Sequence, residues 1–444
     1  MTERKNLVVN PVKTCQPLGA VLACLGIHGC MPHSHGSQGC ASYLRMQLSR
    51  HFREFIPTTT SSFSEAQVVF GGSGNLKQAI RNIIHIYKPQ AIGVSTTCSA
   101  ETIGDDAEGI IAEMRGSGEL PEDVVIFTAS TPSYKGSHVT GFASMVKSAV
   151  DSIAVKGAAN DKINIIPGMI SPGDIREIKR LLALMGIKAI IMPDISGVLD
   201  APMTGKLKLY QDGGTPLEEI ADMANSSITF ALGQEASLPA ALGLEEKHGV
   251  SAEMLPLPIG IENTDRFIME LSRISGKPVP AQLEEERGRL VDMMLDAHAH
   301  WYGKKAAIYG DPDIVEGITA MAVGLGIEPL YVLTGTKSNR WEETVKTIAP
   351  NAHVINGGDL LTLKDLMKEQ PVDIMLGNSH GKFLAKEMDM PLIRVGFPIL
   401  DRANLQHFPV VGYSGAAWLA ERIGNTLLDW KDAHVPDHML ELIM

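Results

Sequence analysis

Residues 88–98 read Lys88-Pro-Gln-Ala-Ile-Gly-Val-Ser-Thr-Thr-Cys98. The run 91–95 is short, apolar and closed by small hydroxyl residues, the pattern of a buried parallel strand that ends in a loop. An amphipathic stretch at 76–87 precedes it. The same alternation recurs along the chain: strands are predicted at 124–128, 163–167, 188–192, 305–309, 329–333, 372–376 and 391–395. Helices are predicted at 141–154, 174–185, 263–275, 281–301, 313–325 and 414–429. In 174–185, Ile175, Ile178, Leu181, Leu182 and Met185 form one apolar face. Strand and helix in turn predict an α/β protein of Rossmann-like, doubly wound parallel sheets. The polar stretch 156–162 and the end of a long charged helix at Gly303 mark two boundaries. Three domains of ordinary size follow, 1–158, 159–302 and 303–444. In such folds ligands gather beyond the carboxyl ends of strands, so Cys98 stands where chemistry is expected.

The 444 residues carry a formal net charge of −12, with 44% hydrophobic, 20% charged and 5% aromatic residues. That balance is typical of a folded globular chain, and the 21 methionines point to an aliphatic, Met-rich core. It argues against nucleic-acid binding through a global basic field. No long apolar run predicts a membrane span. The opening Met-Thr-Glu-Arg-Lys lacks the apolar segment of a secretory signal, and the expected compartment is the cytoplasm. No GxxxxGK(S/T) phosphate loop is present, so ATP hydrolysis is expected elsewhere.

The five cysteines, at 15, 24, 30, 40 and 98, all lie in the first quarter of the chain. An odd count in a long cytosolic chain disfavours a disulfide framework. Cys15, Cys40 and Cys98 each have Gly, Pro, Ser or Thr neighbours and are expected in loops. Small neighbours let the backbone approach a bulky inorganic cluster and offer it N–H groups. Thiolates suit iron–sulfur chemistry, and the long spacings match neither a zinc finger nor a ferredoxin. Three thiolates cannot fully hold a large cluster, which suggests a partner chain. Spacing alone leaves buried, inert thiols as an equal alternative. Cys24, apolar on both sides, reads as packing, and Cys30 as structural.

Several motifs are more specific: NPVKTCQPLGA at 10–20, CMPHSHGSQGCASYLR at 30–45, VVFGGSGNLKQAI at 68–80, STTCSAETIGDD at 95–106 and TPSYKGSHVTGF at 131–142. Others follow at 286–313, at GNSHGKF (377–383) and at RVGFPILDR (394–402). Together they resemble β chains of the nitrogenase component 1 family over nearly the whole length. The resemblance implies three α/β domains and a homologous α subunit in an α2β2 tetramer. It also implies an 8Fe-7S P-cluster shared with that α subunit. Cys15, Cys40 and Cys98 match the β-chain ligands. Ser133 matches a serine that binds iron in the oxidised cluster; taken alone it reads as a turn residue. Phe70 matches an aromatic at the docking surface for an ATP-dependent iron protein homodimer, against a plain packing role. Tyr43 is expected beside the cluster or in packing. Glu54, Asp292 and Asp296 match residues that hold a Ca or Fe ion between two β chains. An all-oxygen set suits such hard ions, and the bland reading is solvated acids.

The active-site cofactor belongs to the α chain in this family, so the role implied here is electron relay during reduction of N2 to ammonia. A nitrogenase-like methylthio-alkane reductase, cleaving carbon–sulfur bonds, would share the same β architecture. A cofactor-assembly scaffold would have lost part of the ligand set, and a dark-operative protochlorophyllide reductase subunit would lack so many of these motifs. The early position of Cys15 matches short β chains of the clostridial kind. The C-terminal segment after Asp429 matches no pattern.

Overall fold

The computed structural model describes residues 9–206 and 208–436. The charged opening and the last eight residues lie outside that range. Among the described residues, thirteen strands form three sheets, each parallel throughout. The first holds β1 (Cys30–His35), β2 (Thr59–Thr60), β3 (Ala91–Thr96) and β4 (Val125–Ala129), in the order β2-β1-β3-β4. The second holds β5 (Ile163–Ile166), β6 (Ala189–Ile191), β7 (Ile228–Leu232) and β8 (Ser251–Leu255), in the order β6-β5-β7-β8. The third holds β9 (Lys305–Gly310), β10 (Glu328–Thr334), β11 (His353–Asn356), β12 (Ile374–Gly377) and β13 (Leu392–Arg394), in the order β11-β10-β9-β12-β13. In every sheet the order reverses beside the first strand, which is the doubly wound arrangement.

Seven helices surround the first sheet: α1 (Gln16–Leu25), α2 (Gln38–Phe52), α3 (Glu65–Phe70), α4 (Ser73–Tyr87), α5 (Cys98–Ile103), α6 (Ala107–Gly116) and α7 (His138–Ile153). Leu76, Ile80 and Ile83 of α4 and Ile110, Ile111 and Met114 of α6 pack on Met31, Ile92 and Val94 of the sheet. This apolar layer is what holds the carboxyl ends of β1 and β3 in place.

The predicted strands are present, with ends shifted by up to two residues. β1, β2, β7, β8 and β11 lie outside the predicted strands. β1 is buried along its whole length, yet three of its residues are His33, Ser34 and His35, so no apolar run announces it. α1 was also missed. All ten of its residues are buried, and a helix buried all round has no amphipathic stripe to detect. The predicted helix 281–301 is broken at Ala297 into Ala281–Asp296 and His298–Trp301.

The chain packs into two compact units, one from Thr14 to Leu255 and the other from Pro256 onward with the segment ending at Lys13. The helix Gly260–Ser275, expected in the middle domain, packs in the second unit. Phe267, Ile268 and Leu271 on its buried face are covered within the unit that holds the third sheet. The division 1–158, 159–302 and 303–444 is retained as a proposal, resting on one sheet per segment.

Candidate functional site

In the first sheet the strand order reverses between β1 and β3, which pair from Cys30↔Ala91 to His35↔Thr96. A crevice opens at such a switch point beyond the carboxyl ends of the strands. Cys40 follows β1, Cys98 follows β3 and Ser133 follows β4. The three cysteines expected in loops stand instead at helix starts. Cys15 is the residue before α1, Cys40 lies in the first turn of α2, and Cys98 is the first residue of α5. A strand that ends and turns into a helix places the intervening side chain at the helix's positive end, which favours a negatively charged ligand atom.

The loops are tied together by hydrogen bonds. The Ser133 amide donates to Cys98 Sγ at 3.2 Å. The Gln16 amide, next to Cys15, donates to Ser133 Oγ at 3.2 Å. The buried Gln16 side chain donates through Nε2 to the Pro132 carbonyl at 2.8 Å. Thr131 donates to the Thr96 carbonyl at 2.6 Å and receives nothing from solvent, being fully buried. Cys15, Cys98 and Ser133 are thereby brought to one place. Cys40 is linked more loosely: the Ser37 hydroxyl donates to its Sγ at 3.5 Å. Tyr43, one turn further along α2, has its phenol pKa raised first by burial and then by the charge of Cys15. All three cysteines are free thiols at intermediate exposure, whereas Cys24 and Cys30 are buried. Burial pushes the Cys24 thiol up, helped by its hydrogen bond with Cys30, so Cys24 is inert packing.

A buried polar network runs behind the site. Ser61 Oγ hydrogen-bonds His33 Nε2 at 2.9 Å and His35 Nδ1 at 2.8 Å, and His35 Nε2 meets Asp105 Oδ2 at 3.1 Å. Asp105 also accepts the Gly72 amide, at 2.9 Å to Oδ2. Burial, then His35, lowers the His33 pKa to about 3. Burial lowers that of His35 while Asp105 opposes the shift. Gly72 closes the turn after α3, whose end presents Val68, Val69 and Phe70 to solvent, with Phe70 88% exposed.

The remaining expected residues are spread out. Glu54 is half-buried just after α2 in the first unit, and Asp292 and Asp296 are exposed, one turn apart, on the helix Ala281–Asp296 of the second. Among the described residues, no group of three or more His, Cys, Asp or Glu side chains converges to hold a single metal ion. The three cysteines therefore do not form a mononuclear site. Their soft sulfur donors, with a backbone N–H on one of them, fit one edge of a larger iron–sulfur group. Gln16 and the His33–Asp105 network were not singled out from sequence. Gln16 carried one usable signal, its position between a cysteine and a helix-starting proline.

No helix among the described residues is long and apolar enough to cross a membrane. The family model for nitrogenase component 1 type oxidoreductases matches residues 15–428. The nitrogenase molybdenum-iron protein beta chain of Clostridium pasteurianum is 46% identical over 449 aligned positions, covering 100% of this chain and 98% of that protein. The protein of the same name from Azotobacter vinelandii is 41% identical, covering 97% of this chain and 86% of its own length. A solved structure described as "Nitrogenase Cp1 at pH 6.5" superposes with a TM-score of 0.98 at 46% identity, over 100% of this chain and 98% of that one. A chain of "Nitrogenase Cp1 at pH 5" superposes at 0.74 with 17% identity, which is a likeness of fold alone.

Proposed function

This chain belongs to the nitrogenase component 1 type oxidoreductases and is a nitrogenase-type subunit, and we propose that it is the β subunit of a nitrogenase, relaying electrons to a cofactor in its α partner that reduces N2 to ammonia. The observation that carries this reading is the joining of Cys98, Ser133 and the Cys15–Gln16 pair at the switch point of the first sheet. Cys15, Cys40 and Cys98 would hold one half of an 8Fe-7S P-cluster, and the α subunit would hold the other half. When bound, that cluster supplies the capacity to accept and release electrons at low potential.

The protein's own groups have separable parts in this. The Ser133 amide donates to Cys98 Sγ, and on a bound cluster this hydrogen bond would draw electron density from the sulfur and favour reduction. Ser133 Oγ accepts the Gln16 amide, which keeps its own proton directed elsewhere and orients the oxygen. As an alkoxide, that oxygen would be a hard ligand suited to oxidised iron. Phe70, with Val68 and Val69, forms an exposed apolar patch for a separate iron protein that hydrolyses ATP. Asp292 and Asp296, one turn apart, would bind a hard cation with Glu54 from a second copy in the α2β2 tetramer. The assembly would work in the cytoplasm.

Ser133→Gly is expected to leave the spectrum of the dithionite-reduced complex nearly unchanged and to alter that of the oxidised complex. A large change in the reduced state would contradict the oxygen-ligand role. The reading as a whole is tested on the co-purified αβ complex with its iron protein and ATP, assayed in parallel on N2 and on a methyl thioether. Ammonia from N2 is the expected product. Thiol or alkane with little ammonia would move the function to carbon–sulfur reduction on the same scaffold. Neither product from an iron-loaded complex would point to an assembly scaffold.

A further inference from the structure

Beyond the carboxyl ends of β12 and β13, well away in sequence from the cysteines, three arginines share too few acceptors. Arg394, the last residue of β13, donates through Nη1 to the Leu392 carbonyl and through Nη2 to Asp401 Oδ2, both at 2.8 Å. Its Nε is buried and has no acceptor among the described residues. Arg402 donates through Nη1 to the Asp401 carbonyl at 2.8 Å, lies 3.5 Å from the same Asp401 carboxylate oxygen and is about half exposed. Asp401 is further occupied by the Ser379 hydroxyl at 2.5 Å. Arg422, on the helix Gly412–His434, stacks on Trp418 one turn before it, with its guanidinium carbon 4.6 Å from the ring centroid. Trp418 in turn stacks on Phe408 at 5.5 Å and 9°. Nothing in the described residues accepts a hydrogen bond from Arg422, and its Nη1 is shut off from solvent.

We propose that Arg394, Arg402 and Arg422 form a binding site for a small oxyanion of the phosphate or carboxylate type. Two carboxylates, Asp401 and Glu421, stand against three guanidinium groups, so one positive charge is left over. Burial lowers the Arg422 pKa; Glu421 opposes that, and Arg402 and Arg394 add to it. Arginine stays charged at neutral pH even so. A half-buried cation with two like charges nearby and donors lacking acceptors costs stability until an anion supplies the missing acceptors. Stacking on Trp418 fixes the guanidinium plane and leaves its edge, a rigid fork of N–H groups, for two oxygens of one ligand. The place is also where α/β folds collect ligands, beyond the carboxyl ends of parallel strands.

The test is calorimetric titration of inorganic phosphate, and in parallel acetate, into the co-purified complex at low ionic strength, with thermal melts in chloride and in phosphate. One saturable site per chain is expected for at least one of the two anions, weakened at least about tenfold in Arg422→Gln, since hydrogen bonds to a charged group are at stake. Arg422→Lys keeps the charge but loses the fork and should fall between. In chloride without phosphate or acetate, Arg422→Gln should melt no lower than the parent, and the added oxyanion should raise the melting temperature of the parent alone. Arg402→Gln, an exposed change that leaves the fold intact, should also weaken binding. The proposal is overturned if neither anion binds saturably, if the Arg422→Gln protein binds as well as the parent, or if it melts lower without the oxyanion, which would make Arg422 a structural residue.

Discussion

Cys98→Ala is expected to strip the αβ complex of most of the iron held at the subunit boundary and to prevent normal assembly. Cys98 begins α5 at the switch point of the first sheet and is the thiol that the Ser133 amide contacts. On the proposed assignment, removing this thiolate takes away a covalent iron ligand. Changes to groups that only orient a ligand cost about 10–100-fold in metal affinity or activity, so loss of the ligand itself should cost about 100-fold or more. The measurement is iron per αβ pair together with the sedimentation profile. Cys24→Ala serves as the control. That thiol is fully buried in α1, so its loss should cost stability of about 1 kcal/mol while iron content stays normal. Full iron content in the Cys98→Ala complex would remove this residue from the ligand set.

Gly19→Ala should be the most destabilising of the conservative changes in the first unit. α1 and α7 cross at Gly19 and Gly141 with their backbones in contact. A Cβ on Gly19 would sit 1.7 Å from the His138 carbonyl oxygen and 2.7 Å from the Phe142 nitrogen. A Cβ on Gly141 would sit 2.0 Å from the Gln16 carbonyl oxygen. Backbone atoms cannot rotate aside as a side chain does, so the helices must part. α1 is buried on all sides, and separation opens gaps along its whole length. Overpacking of this kind costs about 3 kcal/mol or more, read as a lower denaturation midpoint. Because α1 begins beside Cys15 and Gln16, the same change should lower iron content, linking a packing fault to the site. Gly288→Ala is the contrast. Beyond the helix's own backbone, nothing among the described residues lies within 4 Å of a Cβ at that position on the helix Ala281–Asp296, so the change should stabilise by about 1 kcal/mol through helix propensity. Equal melting of the Gly19→Ala protein and the parent would mean that the helices do not cross as described.

Much of this architecture was legible beforehand. The strands at 91–95, 124–128 and 305–309 were found because buried parallel strands are short runs of apolar residues. The helices 141–154 and 174–185 were found because their apolar residues recur on one face. β1 escaped because His33 and His35 are polar yet buried, satisfied by Ser61 and Asp105 rather than by water. Cys15, Cys40 and Cys98 are legible from their motifs, but their positions at helix starts are not, since α1 is buried all round and α5 is only six residues long; α2 carries a buried face of Ala41, Leu44, Leu48 and Phe52, but Gly39, Ser42 and Ser49 interrupt its pattern.

The sequence by itself determined the alternation of strand and helix, the three thiols set apart from Cys24 and Cys30, and the kinship that the full-length match makes plain. These are local properties, written in residues a few positions apart. Tertiary structure alone decided that Gln16 meets Ser133 across 117 positions, that α1 and α7 touch backbone to backbone, and that Arg422 has two arginines near it and a buried Nη1 with no acceptor among the described residues. Such contacts depend on the order in which strands join a sheet and on how closely helices pack over it. That order comes from the total burial of the whole chain, and no short stretch of residues encodes it.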